Sequence, residues 1–175
     1  MKQELPKRPG RPILVLLLAL LPAAAPAQRA VFVVRHAEKA SEANEPSVPL
    51  SDSGKARAHR LAAMLKDAGV TAIYSTDYVR TRATAAPLAE MLHLPIRIYA
   101  AKDSEGRPSA AVLVEALRKE PQAVALVVGH GDTVPGLLSA LGVSQKVELG
   151  DRDYDNLFLV VPRAPGEPIF LRLRY

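Results

Sequence analysis

Apolar runs rich in β-branched residues recur along this chain and predict the strands of a buried sheet. The runs lie at 30–34, 71–75, 96–99, 123–129, 156–161 and 169–173. Those at 30–34 and 123–129 contain no polar side chain, which is typical of strands covered on both faces inside a parallel sheet.

Apolar residues at helical spacing fill the intervals between these runs. Helices are predicted at 51–69, 80–92, 109–120 and 132–141. Ser51 or Asp52 can cap the first of them, and Gly69 is its predicted end. The predicted inward face of the second consists of Thr84, Leu88, Met91 and Leu92. Strands that alternate with helices predict an α/β fold, a three-layer sandwich with a mostly parallel central sheet and helices on both faces.

The first 27 residues have the pattern of a secretory signal peptide. Four basic residues precede a nine-residue apolar core at 13–21, and Ala25-Pro26-Ala27 has the form of a cleavage site. Nine apolar residues are too few to span a bilayer. We therefore expect cleavage after Ala27, which leaves 28–175 as one domain without a stable membrane span, exported to the periplasm or secreted.

Charge and composition exclude several functions. The chain has 23 basic and 18 acidic residues, and the leader accounts for four of the former and one of the latter, so the remainder has a net charge of only +2. No basic helix or patch is left that would favour a nucleic acid partner. The absence of cysteine excludes disulfides, thiolate catalysis and cysteine-bound metals.

Basic side chains follow three of the predicted strands. Arg35 and His36 end the first strand, Arg80 comes shortly after the second, and His130 follows the run at 123–129. Because the carboxyl ends of parallel strands meet at one edge, these residues are expected to form a pocket for a phosphoryl group. A neutral His36 would attack phosphorus, while the two arginines and His130 hold the oxygens. The arginines would disfavour protonation of His36, and the helix that starts after His130 would add backbone N–H groups, with Gly131 first.

Four segments, taken together and in order, carry a resemblance to a known family. They are Arg35–Glu38, Leu50–Ala58, Tyr74–Ala85 and Val127–His130. In this respect the chain resembles the histidine phosphatase superfamily, also called the phosphoglycerate mutase-like family. The resemblance implies a phosphomonoester hydrolase with a phosphohistidine intermediate on His36, with Arg35, Arg80 and His130 completing the phosphate pocket. It implies no metal and no cofactor.

Departures from the family pattern bear on the reaction and on its general acid. Lys39 stands where the mutases have Ser and the chain has no Trp, so mutase activity is disfavoured. Ala100 and Ala101 stand near where the phosphatase branch places a glutamate, and Asp132 lies one residue later than the aspartate of the acid phosphatases. Asp132 is the first choice for the acid, and the alternatives are Glu38, Asp103 and Glu105.

Several other interpretations remain open. Arg82 would either support the pocket or be a plain surface charge, and His59 and His93 are expected to be ordinary surface residues. His36, Glu38, His130 and Asp132 could instead bind a metal, although the arginines would repel it. A catalytically inactive module that binds a phosphorylated ligand is a further alternative.

The loops at 37–49 and 100–108 are expected to set the substrate. Candidates are sugar phosphates, phosphorylated cell-envelope glycans and phosphoprotein, and the sequence does not indicate an oligomeric state.

Overall fold

A mixed six-stranded sheet forms the centre of the molecule. The structure is a computed structural model that describes residues 30–100, 102, 110–163 and 165–175. The strands are β1 (Ala30–Arg35), β2 (Ala72–Ser75), β3 (Ile96–Ile98), β4 (Val124–Gly129), β5 (Asn156–Val161) and β6 (Ile169–Arg174). The helices are α1 (Asp52–Leu65), α2 (Val79–Leu92), α3 (Ala111–Arg118) and α4 (Val134–Ala140). The predicted leader and most of the loop at 100–108 lie outside the described residues.

The strand order is β3-β2-β4-β1-β5-β6. The first four strands in this order are parallel, and β5 and β6 each pair antiparallel with the strand before them. Arg35 pairs with Gly129, and Ser75 pairs with Val128. This register brings the carboxyl ends of β1, β2 and β4 side by side, and the predicted mostly parallel α/β fold is confirmed.

Helices cover both faces of this sheet because its central strands are apolar on both sides. Val31 and Val33 of β1 belong to the core cluster that includes α3 and α4. Phe32 and Val34, which point to the other face, belong to the cluster that includes α1 and α2. The three-layer arrangement is therefore also confirmed. None of the helices in the described part of the chain is long and apolar enough to cross a membrane.

The buried face of helix α2 differs from the predicted one at Met91. Its buried residues include Thr81, Ala85 and Leu88. Met91 was predicted to point inward, but half of it (50%) is exposed, so this prediction is wrong. The physical reason is that the buried face is centred on Thr81, Ala85 and Leu88, and Met91 lies on its flank in the last turn.

The first turn of α1 packs against the chain just after β1. Ser51, and not Asp52, caps the helix, since its Oγ accepts a hydrogen bond from the Gly54 amide at 3.1 Å. The Ser51 amide in turn donates to the Glu38 carbonyl at 2.9 Å. A Cβ atom on Gly54 would lie 2.3 Å from the same carbonyl oxygen. Only glycine allows this approach, which fixes the segment that carries His36.

Candidate active site

A pocket of about 870 Å³ lies at the carboxyl edge of the parallel strands. Its lining includes six of the residues that the sequence singled out for the site, namely Arg35, His36, Arg80, His130, Gly131 and Asp132. The strands β1 and β4 deliver the two histidines, and the start of α2 delivers Arg80. Among the predicted acids that the structure describes, Glu38 does not line the pocket.

His36 is buried, with 3% of its surface exposed, and its ring is fixed at one nitrogen. Nδ1 lies 2.7 Å from the carbonyl oxygen of Ala37. A carbonyl oxygen can only accept, so Nδ1 carries the proton and donates, and in the neutral ring Nε2 holds the lone pair. The backbone amide of His36 donates to the Gly129 carbonyl at 2.9 Å, which continues the pairing of β1 with β4. His36 thus has the tautomer of a nucleophile that attacks through Nε2.

The surroundings of His36 keep its ring neutral. Burial is the largest cause, and together with the positive charges around it, it lowers the pKa of His36 to about 3. The hydrogen bond to Ala37 opposes this effect, while His130, Arg80 and Arg35 add to it. The sequence analysis assigned the neutral ring to the effect of the arginines, whereas burial lowers the pKa of His36 more than they do.

His130 lies edge-on to His36, with the ring centroids 5.4 Å apart. A hydrogen bond of 2.8 Å joins its Nε2 to Oγ1 of Thr76, and the Tyr78 ring lies 4.7 Å away, centroid to centroid. Burial, followed by the charge of Arg80, lowers the pKa of His130 to about 4, while Asp132 opposes the shift. Both imidazoles are therefore neutral at physiological pH.

Arg35 is held in place on three sides. Its Nη1 donates to the Gly150 carbonyl at 2.8 Å, and its guanidinium carbon lies 4.3 Å from the centre of the Tyr154 ring. A Cβ atom on Gly131 would lie 3.4 Å from that carbon, so the glycine backbone packs against the guanidinium group. The buried Nε of Arg35 has no hydrogen-bond partner among the described residues.

Arg80 is held by contacts of the same kind. Its Nη1 donates to the Glu45 carbonyl at 3.0 Å, and its guanidinium carbon lies 4.5 Å from the centre of the Tyr78 ring. Its Nε is also buried without a partner in the described part of the chain. An orphaned buried donor is costly, and two of them on cationic side chains beside the histidines are suited to an oxyanion.

The candidate acids are placed very differently. Asp132 is exposed and lines the pocket two residues after His130. The carboxylate of Glu38 instead pairs with Arg57, with contacts of 2.7 to 2.9 Å to Nη2 and Nε. Although partial burial would raise it, the hydrogen bonds from Arg57 lower the pKa of Glu38, so this carboxylate stays ionised. This corrects the prediction of Glu38 as an alternative acid, because the side chain holds α1 against the His36 segment. Asp103 and Glu105 lie outside the described residues.

The remaining sequence candidates lie at the surface. Arg82 is half-exposed and pairs with Asp77 at 3.2 Å. His59 and His93 are exposed. Within 30–100, 102, 110–163 and 165–175, no three His, Asp or Glu side chains cluster as a metal site would need. The alternative metal set is not assembled, since Glu38 is turned toward Arg57.

Sequence reasoning missed three supports of the site: Thr76, Tyr78 and Tyr154. Thr76 and Tyr78 lie inside the segment Tyr74–Ala85, in which Arg80 was assigned a role in the pocket and these two residues were not. Tyr154 lies in an irregular segment between α4 and β5, and no periodicity marks it. Thr84, expected only to pack, also accepts a hydrogen bond from the Ala37 amide at 3.0 Å, which ties α2 to the His36 segment.

Comparison with known protein families gives one match. Residues 31–101, which contain three of the four motifs, match the model of the histidine phosphatase superfamily (branch 1). Over this segment the chain is similar to that branch of the superfamily. No curated protein sequence matches it significantly.

Solved structures show the same fold. The protein histidine phosphatase SixA complexed with tungstate superposes with a TM-score of 0.67 at 20% identity, over 83% of this chain and 96% of that one. Phosphoserine phosphatase from Entamoeba histolytica, in complex with 3-phosphoglyceric acid, gives 0.64 at 16% identity, over 85% and 98%. A mycobacterial glucosyl-3-phosphoglycerate phosphatase with inorganic phosphate gives 0.61 at 18% identity, over 84% and 96%.

Proposed function

We propose that this chain hydrolyses phosphomonoesters through a phosphohistidine intermediate on His36. The observation that carries the proposal is the pairing of a neutral His36, whose Nε2 holds the lone pair, with two arginines whose buried Nε atoms have no partner among the described residues. A phosphoryl group in transfer carries its charge on oxygens that preorganised donors must hold.

The reaction has two steps. In the first, Nε2 of His36 bonds to phosphorus as the ester bond breaks, and the departing oxygen takes a proton from Asp132. In the second, water attacks phosphorus, its proton passes to the Asp132 carboxylate, and the P–N bond breaks to release phosphate. Arg35, Arg80 and His130 hold the phosphoryl oxygens, and the backbone of Gly131 adds a donor beside them.

A small phosphorylated molecule is the proposed substrate. The pocket of about 870 Å³ accommodates a compound of that size, and two of the similar structures contain phosphate or a phosphorylated acid. A sugar phosphate or a phosphorylated cell-envelope glycan suits the proposed export. A mutase reaction has less support, since Lys39 replaces the mutase Ser.

Turnover of nitrophenyl phosphate, measured beside vanadate binding, separates an enzyme from an inactive binding module. We expect wild-type turnover that His36→Ala removes and that His59→Ala, an exposed histidine on α1, leaves intact. Activity should persist in chelator, because no activated metal-bound water takes part. Vanadate binding without turnover above the His36→Ala level at any pH would support the binding module instead.

We also propose that the protein is exported. The support is the sequence of the leader, with its basic start, apolar core and Ala25-Pro26-Ala27. N-terminal sequencing of protein recovered from cells should begin at Gln28. A soluble cytoplasmic protein that retains Met1 would remove this proposal, and an intact leader on membranes would replace it with an anchored form.

A further inference from the structure

The loop at 37–49, which contributes Lys39 and Asn44 to the pocket lining, is organised around the ammonium group of Lys39. Its Nζ donates to the carbonyl oxygens of Glu42 and Ala43 and to Oδ1 of Asn44, each at 3.0 Å. An ammonium group has three N–H donors, so these acceptors use all of them. Lys39 lines the pocket, but all three of its N–H donors bind acceptors of the loop.

The residue that follows this turn holds a guanidinium group of the phosphate pocket. The carbonyl of Glu45 accepts the hydrogen bond from Nη1 of Arg80 at 3.0 Å. The next carbonyl, that of Pro46, accepts from the Val79 amide at 2.9 Å, one residue before Arg80. The segment 42–46 therefore joins Lys39 on one side to Arg80 on the other.

This bond limits the orientation of the Arg80 guanidinium group. Because Nη1 is bound to the Glu45 carbonyl and the group lies against Tyr78, the buried Nε is held in one orientation. A guanidinium group binds an oxyanion well only when its planar edge is correctly aimed. Displacement of the Glu45 carbonyl would release Arg80 from this orientation.

We propose that Lys39 is a positioning residue for the phosphate pocket, which closes the turn at 42–44 so that the Glu45 carbonyl aims Arg80. Its effect on catalysis rests on the proposed function, whereas its effect on anion binding does not. Lys39 acts through Arg80 and does not itself bind a phosphoryl oxygen. The positive charge of Lys39 is not sufficient for this role, since the role depends on three donors that point to three separate acceptors.

Vanadate affinity, measured by calorimetry on the full chain, tests the first part of the proposal. Lys39→Met should weaken binding about tenfold, as expected for the loss of charge-assisted hydrogen bonds that order a binding group. Lys39→Arg should also weaken binding, because a planar fork does not reproduce the three directions of an ammonium group. The matched control is Lys55→Met, which removes an exposed lysine paired with Asp52 outside the pocket and should leave affinity unchanged.

A double-mutant cycle with Arg80→Ala tests whether Lys39 acts through the arginine. In the Arg80→Ala background, Lys39→Met should cost less than about threefold. An undiminished tenfold cost there, or full recovery in Lys39→Arg, would overturn the proposal in favour of simple charge attraction. Wild-type affinity in Lys39→Met would overturn it as well.

Hydrogen exchange at the Val79 amide gives a readout that does not depend on any ligand. Exchange should be faster in Lys39→Met than in wild type or Lys55→Met, because the Pro46 carbonyl is no longer held. Unchanged exchange would count against the proposal. If vanadate binding and the cycle behave as expected but no turnover occurs, the proposed hydrolase fails while the role of Lys39 stands.

Discussion

His36→Ala is expected to abolish covalent phosphorylation of the chain and to lower phosphomonoester turnover by about 10³-fold or more, since the nucleophile is removed. In the wild type, a phosphate donor should give rapid labelling that is labile to acid and stable to base, as a P–N bond requires, and the label should map to His36. His130→Ala should weaken the labelling without moving it, because the proposed mechanism gives His130 only the role of holding phosphoryl oxygens. Label on His130 would reverse the two assignments.

The pH dependence of this labelling follows from the burial of His36. Its pKa is lowered to about 3 from an ordinary value near 6.5, so the nucleophilic neutral ring is present above the lowered pKa and is lost only as the pH falls through it. Labelling at saturating donor should therefore persist from pH 7 to pH 5, where an ordinary histidine would be mostly protonated. A loss of labelling centred near pH 6.5 would show that the ring is not desolvated as the structure indicates.

The location of the pocket could be predicted from the sequence because it depends on chain direction alone. Two uninterrupted apolar runs end in Arg35-His36 and in His130, and parallel strands place such ends at one edge. Strands β5 and β6 join the sheet antiparallel, but β1 and β4, which lead to the two histidines, are parallel. The predicted location of the pocket therefore did not depend on the directions of β5 and β6. Strand direction at the sheet edge has no comparable signal in the sequence.

The direction of individual side chains could not be predicted. Glu38 follows His36 by two residues and has the chemistry of an acid, but Arg57 one turn into α1 binds its carboxylate. The contact spans 19 residues and depends on how α1 docks, which the close approach of Gly54 decides. Tyr154 likewise reaches Arg35 from an irregular segment. Such contacts arise from packing, and neither periodicity nor spacing encodes them.

The neutral state of His36 also depends partly on features that the sequence shows and partly on packing that it does not. Sequence reasoning could count the positive charges near the ring, and these do lower its pKa. It could not measure burial, which depends on the strands and helices packed around the ring and which contributes more than the charges. The direction of the pKa shift of His36 could therefore be predicted from the charges, while its largest physical cause required the fold.

Asp132→Asn should slow the hydrolysis of alkyl phosphates by about 10²–10⁴-fold, the usual contribution of general acid catalysis, and should slow that of nitrophenyl phosphate far less. An alkoxide is a poor leaving group and needs a proton as the P–O bond breaks, whereas nitrophenolate departs as a stable anion. Steady-state rates on the two substrates give the comparison. Asp77→Asn is the matched control, because Asp77 also lines the pocket but pairs with Arg82.

The two-substrate comparison separates proton donation from a structural role of Asp132. Asp132 lies just before Thr133, the residue that precedes α4, and its charge acts on both Arg80 and His130. If the carboxylate only supported the phosphate pocket or the start of the helix, Asp132→Asn would slow both substrates equally. Equal losses would therefore remove Asp132 as the acid. Because Arg57 holds Glu38 ionised, the same comparison would then be made with Asp103→Asn and Glu105→Gln.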